Sequence, residues 1–187
     1  MSMRVLWLAI LAVGCGGGAS PLTEGTAVMG TLLGKSFAAR KAVSFSATDS
    51  YGTVGVVVIS TSDELCSSLQ AEHLPPESRN LVLKVFDIDA NARATAPTSA
   101  GRYVVTDSLV GPAKLAGASY VETDAICGYR AVEAKTAQTG MVTLTGAESG
   151  AYSGSLSITM TSQDSASGTI QPELCPEASL ASPPSRC

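Results

Sequence analysis

The sequence has few of the side chains on which catalytic and nucleic-acid-binding proteins usually rely. Of its 187 residues, 5% are aromatic and 15% are charged, and His73 is the only histidine. The 12 basic residues are scattered without a run of Lys or Arg, and the formal net charge is -4. Such a chain lacks the concentrated positive patch that binds phosphate backbones, so we expect no nucleic acid partner.

Familiar catalytic motifs are also missing. The sequence has no P-loop, no dinucleotide fingerprint and no Ser-x-x-Lys motif, and the segment 150–154 lacks the spacing of a nucleophile elbow. A hydrolase triad needs a base, and the single candidate, His73, lies just before Pro75 and Pro76, where we interpret it as a solvated residue. Without a C-x-x-C pair, a metal site built on the cysteines is disfavoured, and we expect no cofactor.

Long apolar runs are absent as well. The run from Val5 to Val13 is shorter than the roughly 20 apolar residues that a transmembrane helix needs. Arg4 precedes the run and Gly14-Cys15 follows it, which is the order of a secretory signal peptide. We therefore predict a signal peptide over residues 1–14.

The residues that end this run, Leu11-Ala-Val-Gly-Cys15, resemble the lipobox of bacterial lipoproteins. The resemblance implies that Cys15 is lipidated and becomes the N-terminus, so that the membrane is a partner through a lipid anchor. It also implies a location in the bacterial cell envelope, and Gly16 after the cysteine indicates the outer membrane. Residues 15–27, which include a Gly-rich stretch, are predicted to be a flexible tether.

The other four cysteines are Cys66, Cys127, Cys175 and Cys187. An even number of cysteines in an exported chain predicts two disulfides, and four cysteines allow three pairings. We favour Cys66 with Cys127 and Cys175 with Cys187, because the second pair brackets a Pro-rich tail over residues 176–187.

Apolar and polar residues alternate through most of residues 28–175, the predicted domain. Leu156, Ile158 and Met160 oppose serines and threonines, and Phe37, Val43 and Phe45 share one parity, as in strands with one buried face. The segments 54–59 and 81–86 are continuously apolar, which predicts central strands. Shorter strands are predicted over residues 101–106, 119–123, 131–137, 141–145 and 168–174, with turns at 49–52, 138–140, 146–150 and 164–168.

One helix is predicted. Thr61 and Glu64 have capping-box spacing, Leu65 and Leu69 follow at a helical interval, and Pro75-Pro76 forbids continuation. The predicted fold class is all-β, an antiparallel β-sandwich or a partly open barrel of about nine strands with one short helix.

The C-terminal third supports this fold. The segments 139–145, 153–159 and 167–171, closed by Cys175, resemble the tail of many short predicted bacterial lipoproteins, in which three hairpin-linked strands end on a cysteine. This resemblance implies a fold and a location and transfers no site.

One segment has the beginning of a calcium loop. Asp87, Asp89 and Asn91 alternate as in the first half of an EF-hand, but Ala92 replaces the required glycine and Thr98 the terminal glutamate. The alternative is an ordinary polar loop that follows a strand.

Two classes of function stay open. The first is a membrane-anchored binding or structural module without a catalytic role, which contacts an envelope protein or an extracellular ligand through its loops or an open sheet edge. The second is an envelope hydrolase that acts on glycans with two carboxylates about 5 to 10 Å apart in a concave pocket. The scarcity of aromatic residues leaves little material for sugar stacking, which favours the first class.

Overall fold

A computed structural model describes residues 25–49, 52–106, 113–126 and 135–179. The predicted signal peptide, Cys15, Cys127, Cys187 and most of the predicted strand 131–137 lie outside these residues. The described part contains one helix, α1 (Leu65–Gln70), and thirteen strands. The strands are β1 (Ala27–Leu32), β2 (Lys35–Ala38), β3 (Lys41–Asp49), β4 (Gly52–Ser60), β5 (Arg79–Ile88), β6 (Ala94–Thr95), β7 (Gly101–Val105), β8 (Lys114–Glu122), β9 (Lys135–Thr136), β10 (Thr139–Glu148), β11 (Ala151–Thr159), β12 (Ser165–Ile170) and β13 (Glu173–Leu174).

All thirteen strands belong to one sheet, which curls into a half-barrel. Its main order is β13-β3-β4-β5-β8-β7-β10-β11-β12-β1-β2, with β6 beside β4 and β5 and with β9 on β8. Most pairs are antiparallel, but β7 with β8, β13 with β3 and β4 with β6 are parallel. The prediction of an all-β fold with one short helix is confirmed. Of the two predicted architectures, the half-barrel is closer to the partly open barrel than to the sandwich, and the sheet has more strands than the nine predicted.

Two glycines in the C-terminal strands are required by close contacts with the backbones of paired strands. A Cβ on Gly168 would lie 1.9 Å from the carbonyl oxygen of Ala27, and one on Gly154 would lie 1.9 Å from that of Thr143. Both glycines have positive φ angles, +149° and +156°, which other residues rarely adopt. A side chain at either position would run into the backbone of the neighbouring paired strand, so both positions need glycine.

Two hydrophobic clusters fill the two sides of the sheet. The inner cluster lies inside the curl and includes Val57, Ile59, Leu81, Leu83, Tyr103, Tyr120, Tyr152, Leu156 and Ile158. The outer cluster lies between the other face of β3, β4, β5 and β8 and the helix, and it includes Val43, Phe45, Val56, Val58, Leu65, Leu69, Leu74 and Val82. Strands β4 and β5 contribute alternate residues to both clusters, so their prediction as central strands is confirmed.

The C-terminal alternation is confirmed, and the N-terminal one is wrong in part. Leu156, Ile158 and Met160 are buried, whereas Ser155, Ser157 and Thr159 are exposed. Phe37, however, packs in the inner cluster, and Val43 and Phe45 pack in the outer one. The predicted common face fails because β2 and β3 are separate strands that are joined at Ala39 and Arg40.

Several turns lie away from their predicted positions. Thr139 and Gly140 are inside β10, which continues to Glu148 past an irregularity between Leu144 and Gly146. The hairpin turn after β10 is Ser149-Gly150. Ser165, Ala166, Ser167 and Gly168 belong to β12 rather than to a turn.

Helix α1 is shorter than predicted and lacks the predicted capping box. Glu64 is the N-cap residue and makes no side-chain capping bond. The Thr61 hydroxyl instead accepts a hydrogen bond from the backbone amide of Arg79 (3.0 Å). The Ser62 hydroxyl accepts a hydrogen bond from the backbone amide of Glu64 (3.3 Å). Leu65 and Leu69 are buried, as predicted.

A disulfide joins Cys66 on α1 to Cys175 after β13, with 5.7 Å between their Cα atoms. The predicted pairing of Cys66 with Cys127 and of Cys175 with Cys187 is therefore wrong. The physical reason is that β13 adds to the edge of β3, where the Cys175 amide donates to the carbonyl of Ser44 (3.0 Å). This pairing brings Cys175 beside the helix.

The first residues of the predicted tail pack on the helix. The Gln70 amide donates to the carbonyl of Pro176 (3.0 Å), and the backbone amide of Ser179 donates to that of Leu69 (3.3 Å). Ala178 packs against the outer cluster. Residues 173–179 therefore form a cover, together with α1, over one face of the sheet.

Strand β2 lies near the ends of β5 and β8. Lys35 forms an ion pair of 2.7 Å with Glu122, a carboxylate that is nearly buried and that also accepts a hydrogen bond from Tyr120 (2.8 Å). The Arg79 guanidinium donates to the carbonyl of Ser36. These contacts fix the β1–β2 hairpin against the rest of the sheet. No helix in the described part of the chain is long and apolar enough to cross a membrane.

Candidate functional site

The two aspartates among the calcium candidates, Asp87 and Asp89, have different hydrogen-bond partners. One carboxylate oxygen of Asp89 accepts hydrogen bonds from the backbone amides of Asn91 and Arg93, both at 2.8 Å. The bond from Arg93 contributes most to holding the pKa of Asp89 below its ordinary value. Asp89 thus closes the loop between β5 and β6, as side chains of this type do in turns.

Asp87 faces a different partner. Its carboxylate accepts a hydrogen bond from the Lys114 ammonium (3.0 Å), which also donates to the Tyr103 hydroxyl (3.1 Å). Among the residues that the structure describes, no group of three or more His, Cys, Asp and Glu is placed to hold a metal ion. Asp87, Asp89 and Asn91 are accounted for by loop and ion-pair contacts.

The cluster of Asp87, Tyr103 and Lys114 has shifted ionisation. Burial raises the pKa of Tyr103, and the hydrogen bond from Lys114 only partly opposes this. Burial disfavours the charge of Lys114, but the contacts with Tyr103 and Asp87 outweigh it and raise the pKa of the lysine. Both shifts favour a neutral Tyr103 and a charged Lys114, so neither of these two side chains is made a better base by its surroundings.

His73 has no arrangement around it that suggests catalysis. It is half-buried, and its Nδ1 lies 3.0 Å from the carbonyl oxygen of the next residue, Leu74. This local contact orients the ring at the end of the segment that follows α1.

A concave site with two carboxylates does exist, between the starts of β1 and β3. We call it the charged cleft; its volume is about 330 Å³, and it is lined by Gly25, Thr26, Arg40, Lys41, Ala42, Asp63, Gln171 and Glu173. Asp63 pairs with Arg40 at 2.6 Å, and Glu173 pairs with Lys41 at 2.5 Å. Glycan hydrolysis needs two carboxyl groups that are free to flank the scissile bond, whereas each carboxylate here is held by a cation.

A larger cleft opens at one end of the half-barrel. We call it the mouth cleft; it encloses about 530 Å³ and is lined by Ser46, Ala96, Pro97, Thr98, Ala147, Glu148, Ser149, Gly150 and Tyr152. Its lining comes from β3, from the loop between β6 and β7, and from the β10–β11 hairpin. The volume is within the range of small-molecule sites, and the mouths of barrels are frequent places for them.

Tyr152 and Gly55 shape this cleft together. The Tyr152 ring is 1% exposed, and a Cβ on Gly55 would lie 2.6 Å from its Cζ atom. The ring can therefore lie against β4 only because residue 55 has no side chain. The Tyr152 hydroxyl is hydrogen-bonded to the Ser46 hydroxyl at 2.9 Å, which places two polar atoms in the cleft.

The charge of the mouth cleft has one sign. Among the described residues that line it, Glu148 is the one carboxylate, and none is a lysine, an arginine or a histidine. Glu148 is exposed, and no ion pair or hydrogen bond of its side chain is found within the described residues. Ala96, Pro97 and Ala147 form a small apolar wall.

A buried hydroxyl lies deeper on the same face of β3. Ser44 is two residues before Ser46, so both side chains point to the same side of the strand. Ser44 is fully buried, and its hydroxyl has no hydrogen-bond partner in the described part of the chain. The inner face of β3 therefore becomes polar towards the cleft.

The sequence analysis did not predict the mouth cleft. One signal was present, because a single glycine inside an apolar strand, here Gly55, often marks a close approach by another group. The group that approaches Gly55 is the Tyr152 ring on β11. The position of β11 beside β4 depends on how the whole sheet curls, which the pattern of β4 does not encode.

The chain was compared with protein-family models, with characterised proteins and with solved structures, and none of the three comparisons finds a match. The site is therefore interpreted from its own geometry.

Proposed function

We propose that this protein is a lipid-anchored module of the bacterial cell envelope whose β domain binds a ligand or another envelope protein and has no catalytic role. The anchor is Cys15, and the proposed location is the outer membrane. The support for the anchor is the apolar run between Arg4 and Gly14 and the lipobox-like residues that end it. A disulfide between Cys66 and Cys175 fits an exported chain, since disulfides persist in oxidising compartments.

The observation that carries the binding role is the mouth cleft. Its polar atoms come from three separate segments and converge on one concavity, as in ligand sites. Its described lining holds one carboxylate, Glu148, whereas glycan hydrolysis needs a pair. Binding therefore agrees better with the geometry than the hydrolase alternative.

The anchor is tested with a Cys15→Ser variant that is produced in bacteria fed with a clickable fatty acid. We expect the wild-type protein to be labelled and to sediment with membranes, and the variant to lose both properties. Equal labelling and equal membrane association of the two proteins would refute the anchor.

The absence of a catalytic role is tested on the same purified protein. We expect no turnover of glycan substrates. Turnover that disappears in Asp63→Asn or Glu173→Gln would show that the charged cleft is an active site and would replace the binding role with the hydrolase alternative.

A further inference from the structure

We propose that the mouth cleft binds a small ligand that carries a positively charged amine on a short aliphatic body. This inference deepens the proposed binding role and rests on it. Glu148 is the ion-pair partner of the amine, and the exposed Ser46 hydroxyl, which is hydrogen-bonded to Tyr152, accepts a hydrogen bond from the amine.

The charge of the lining selects the sign of the ligand. Within the described part of the chain, no cation pairs with Glu148, whereas the two carboxylates of the charged cleft are each paired. An anionic ligand would face the Glu148 carboxylate, and the described lining holds no lysine, arginine or histidine to compensate. A cation finds an unneutralised partner there, and the net charge of -4 favours its approach.

The hydroxyl pair supplies a second polar contact. A hydroxyl has one hydrogen and two lone pairs, so the exposed Ser46 oxygen can accept a hydrogen bond from an ammonium group while it is bonded to the buried Tyr152 hydroxyl. Tyr152 is held in place by its packing against Gly55, so the Ser46 hydroxyl bonded to it is already positioned before a ligand arrives.

The wall of the cleft selects the body of the ligand. Ala96, Pro97 and Ala147 offer a small apolar surface, which suits a short alkyl chain. No aromatic face is available for stacking a sugar ring, because Tyr152, the aromatic residue in the lining, has its ring buried. The lining therefore favours an aliphatic amine over a neutral sugar.

The test uses ligands with the same four-carbon body and different charge. The full chain is titrated with n-butylamine, 1-butanol and butyrate, and with glucose as a neutral sugar, by calorimetry and by NMR chemical shifts. We expect saturable binding of butylamine that weakens as salt is added, weaker binding of butanol, and none of butyrate. Equal affinities for butylamine and butanol, tighter binding of glucose, or no binding of butylamine would overturn the proposal.

Two variants test the named groups. Glu148→Gln keeps the shape of the side chain and removes its charge, so the affinity for butylamine should fall about two- to fivefold, as expected for an exposed ion pair, with no change for butanol. Ser46→Ala should also lower the affinity for butylamine. The control is Glu177→Gln, which neutralises an exposed carboxylate in the turn after Cys175, away from the cleft lining.

The outcomes separate this inference from the function on which it rests. If Glu148→Gln is without effect, or if Glu177→Gln weakens binding equally, Glu148 is not the partner and the inference falls. If glucose or butanol binds more tightly than butylamine, the proposed amine ligand is wrong, but the proposed binding role of the domain still stands. Loss of the lipid anchor in the Cys15 experiment leaves the titration unaffected.

Discussion

At the scale of single residues, the packing at the mouth cleft depends on the missing side chain of Gly55. A methyl group there would lie 2.6 Å from the Tyr152 ring, so the Gly55→Ala variant must displace a nearly fully buried tyrosine. Overpacking of this kind costs about 1–3 kcal/mol. We expect a lower midpoint of urea unfolding for the variant.

The matched control is Gly117→Ala on β8. A Cβ on Gly117 meets no atom within 4 Å, so this variant should be as stable as the wild type or slightly more so. If Gly55→Ala unfolds at the same urea concentration as Gly117→Ala, the ring of Tyr152 is free to move and the proposed shaping of the cleft is wrong.

Tyr103 makes a second residue-level prediction, on pH. Its pKa is raised mainly by burial, so the folded protein holds the phenolic proton more tightly than the unfolded chain does. The stabilisation is complete below the ordinary tyrosine pKa of about 10 and is lost as the pH rises above that value. The raised pKa of Lys114 acts in the same direction.

This pH dependence is measured as the difference between the wild type and Tyr103→Phe. Urea unfolding at a series of pH values from 8 to 11 should show that the stability advantage of the wild type shrinks above pH ~10. A difference that stays constant over this range would mean that Tyr103 titrates alike in the folded and unfolded states.

At the scale of elements, the disulfide joins the two segments that cover the outer cluster, α1 and residues 173–179. It closes a loop with a sequence separation of 109 residues, and the loss of such a constraint costs about 4–5 kcal/mol on the chain-entropy model. A Cys66→Ser, Cys175→Ser double variant should be destabilised by about this amount. Urea unfolding measures it.

Hydrogen exchange shows where the effect of the double variant begins. The disulfide holds α1 against residues 173–179, so we expect faster exchange in both segments of the double variant. At urea concentrations well below the unfolding midpoint, exchange in β10 and β11 should be unchanged. Unchanged exchange in α1 and in residues 173–179 would contradict the assigned role of the disulfide.

At the scale of the whole molecule, the two clusters cannot unfold independently. Val57 and Ile59 of β4 belong to the inner cluster, while Val56 and Val58 of the same strand belong to the outer one. Loss of β4 from the sheet removes residues from both. We therefore expect one cooperative transition, as is common for a domain of this size.

Pulsed hydrogen exchange at increasing urea concentrations tests this cooperativity. Peptides from β4, β5, β10 and β11 should lose their protection at the same urea concentration. Loss of protection in the helix and β3 at a clearly lower concentration than in β10 and β11 would show two separate units.

The sequence predicts best what depends on near neighbours. Alternation in residues 155–160 and continuous burial in residues 54–59 follow from the two-residue period of a strand, and both are found. Strand β1 is not predicted by its pattern, because Gly30 interrupts the apolar positions Val28 and Leu32. A glycine is needed there, since a Cβ would lie 2.0 Å from the carbonyl oxygen of Ser165.

The features that escape prediction are those built from distant segments. The partner of Cys66 depends on β13 adding to β3, and no spacing of cysteines encodes that pairing. The mouth cleft needs Ser46, Pro97 and Tyr152, which lie on β3, in the loop between β6 and β7, and on β11 and meet only when the sheet has formed. The lipid anchor lies outside the described residues and stays a prediction.

The pairing of β1 with β12 has a consequence for the time at which the chain can fold. Val28 of β1 lies opposite Gly168 of β12, and β13 pairs with the edge of β3. Strands near the start of the chain therefore find their partners in strands that are synthesised much later. During synthesis, β1 and β3 have unpaired edges until residues 165–174 have been made, and such edges promote aggregation. Contacts so distant in sequence also make folding slow. Nascent chains should therefore depend on chaperones, and the sheet should be completed only after residues 165–174 have left the ribosome.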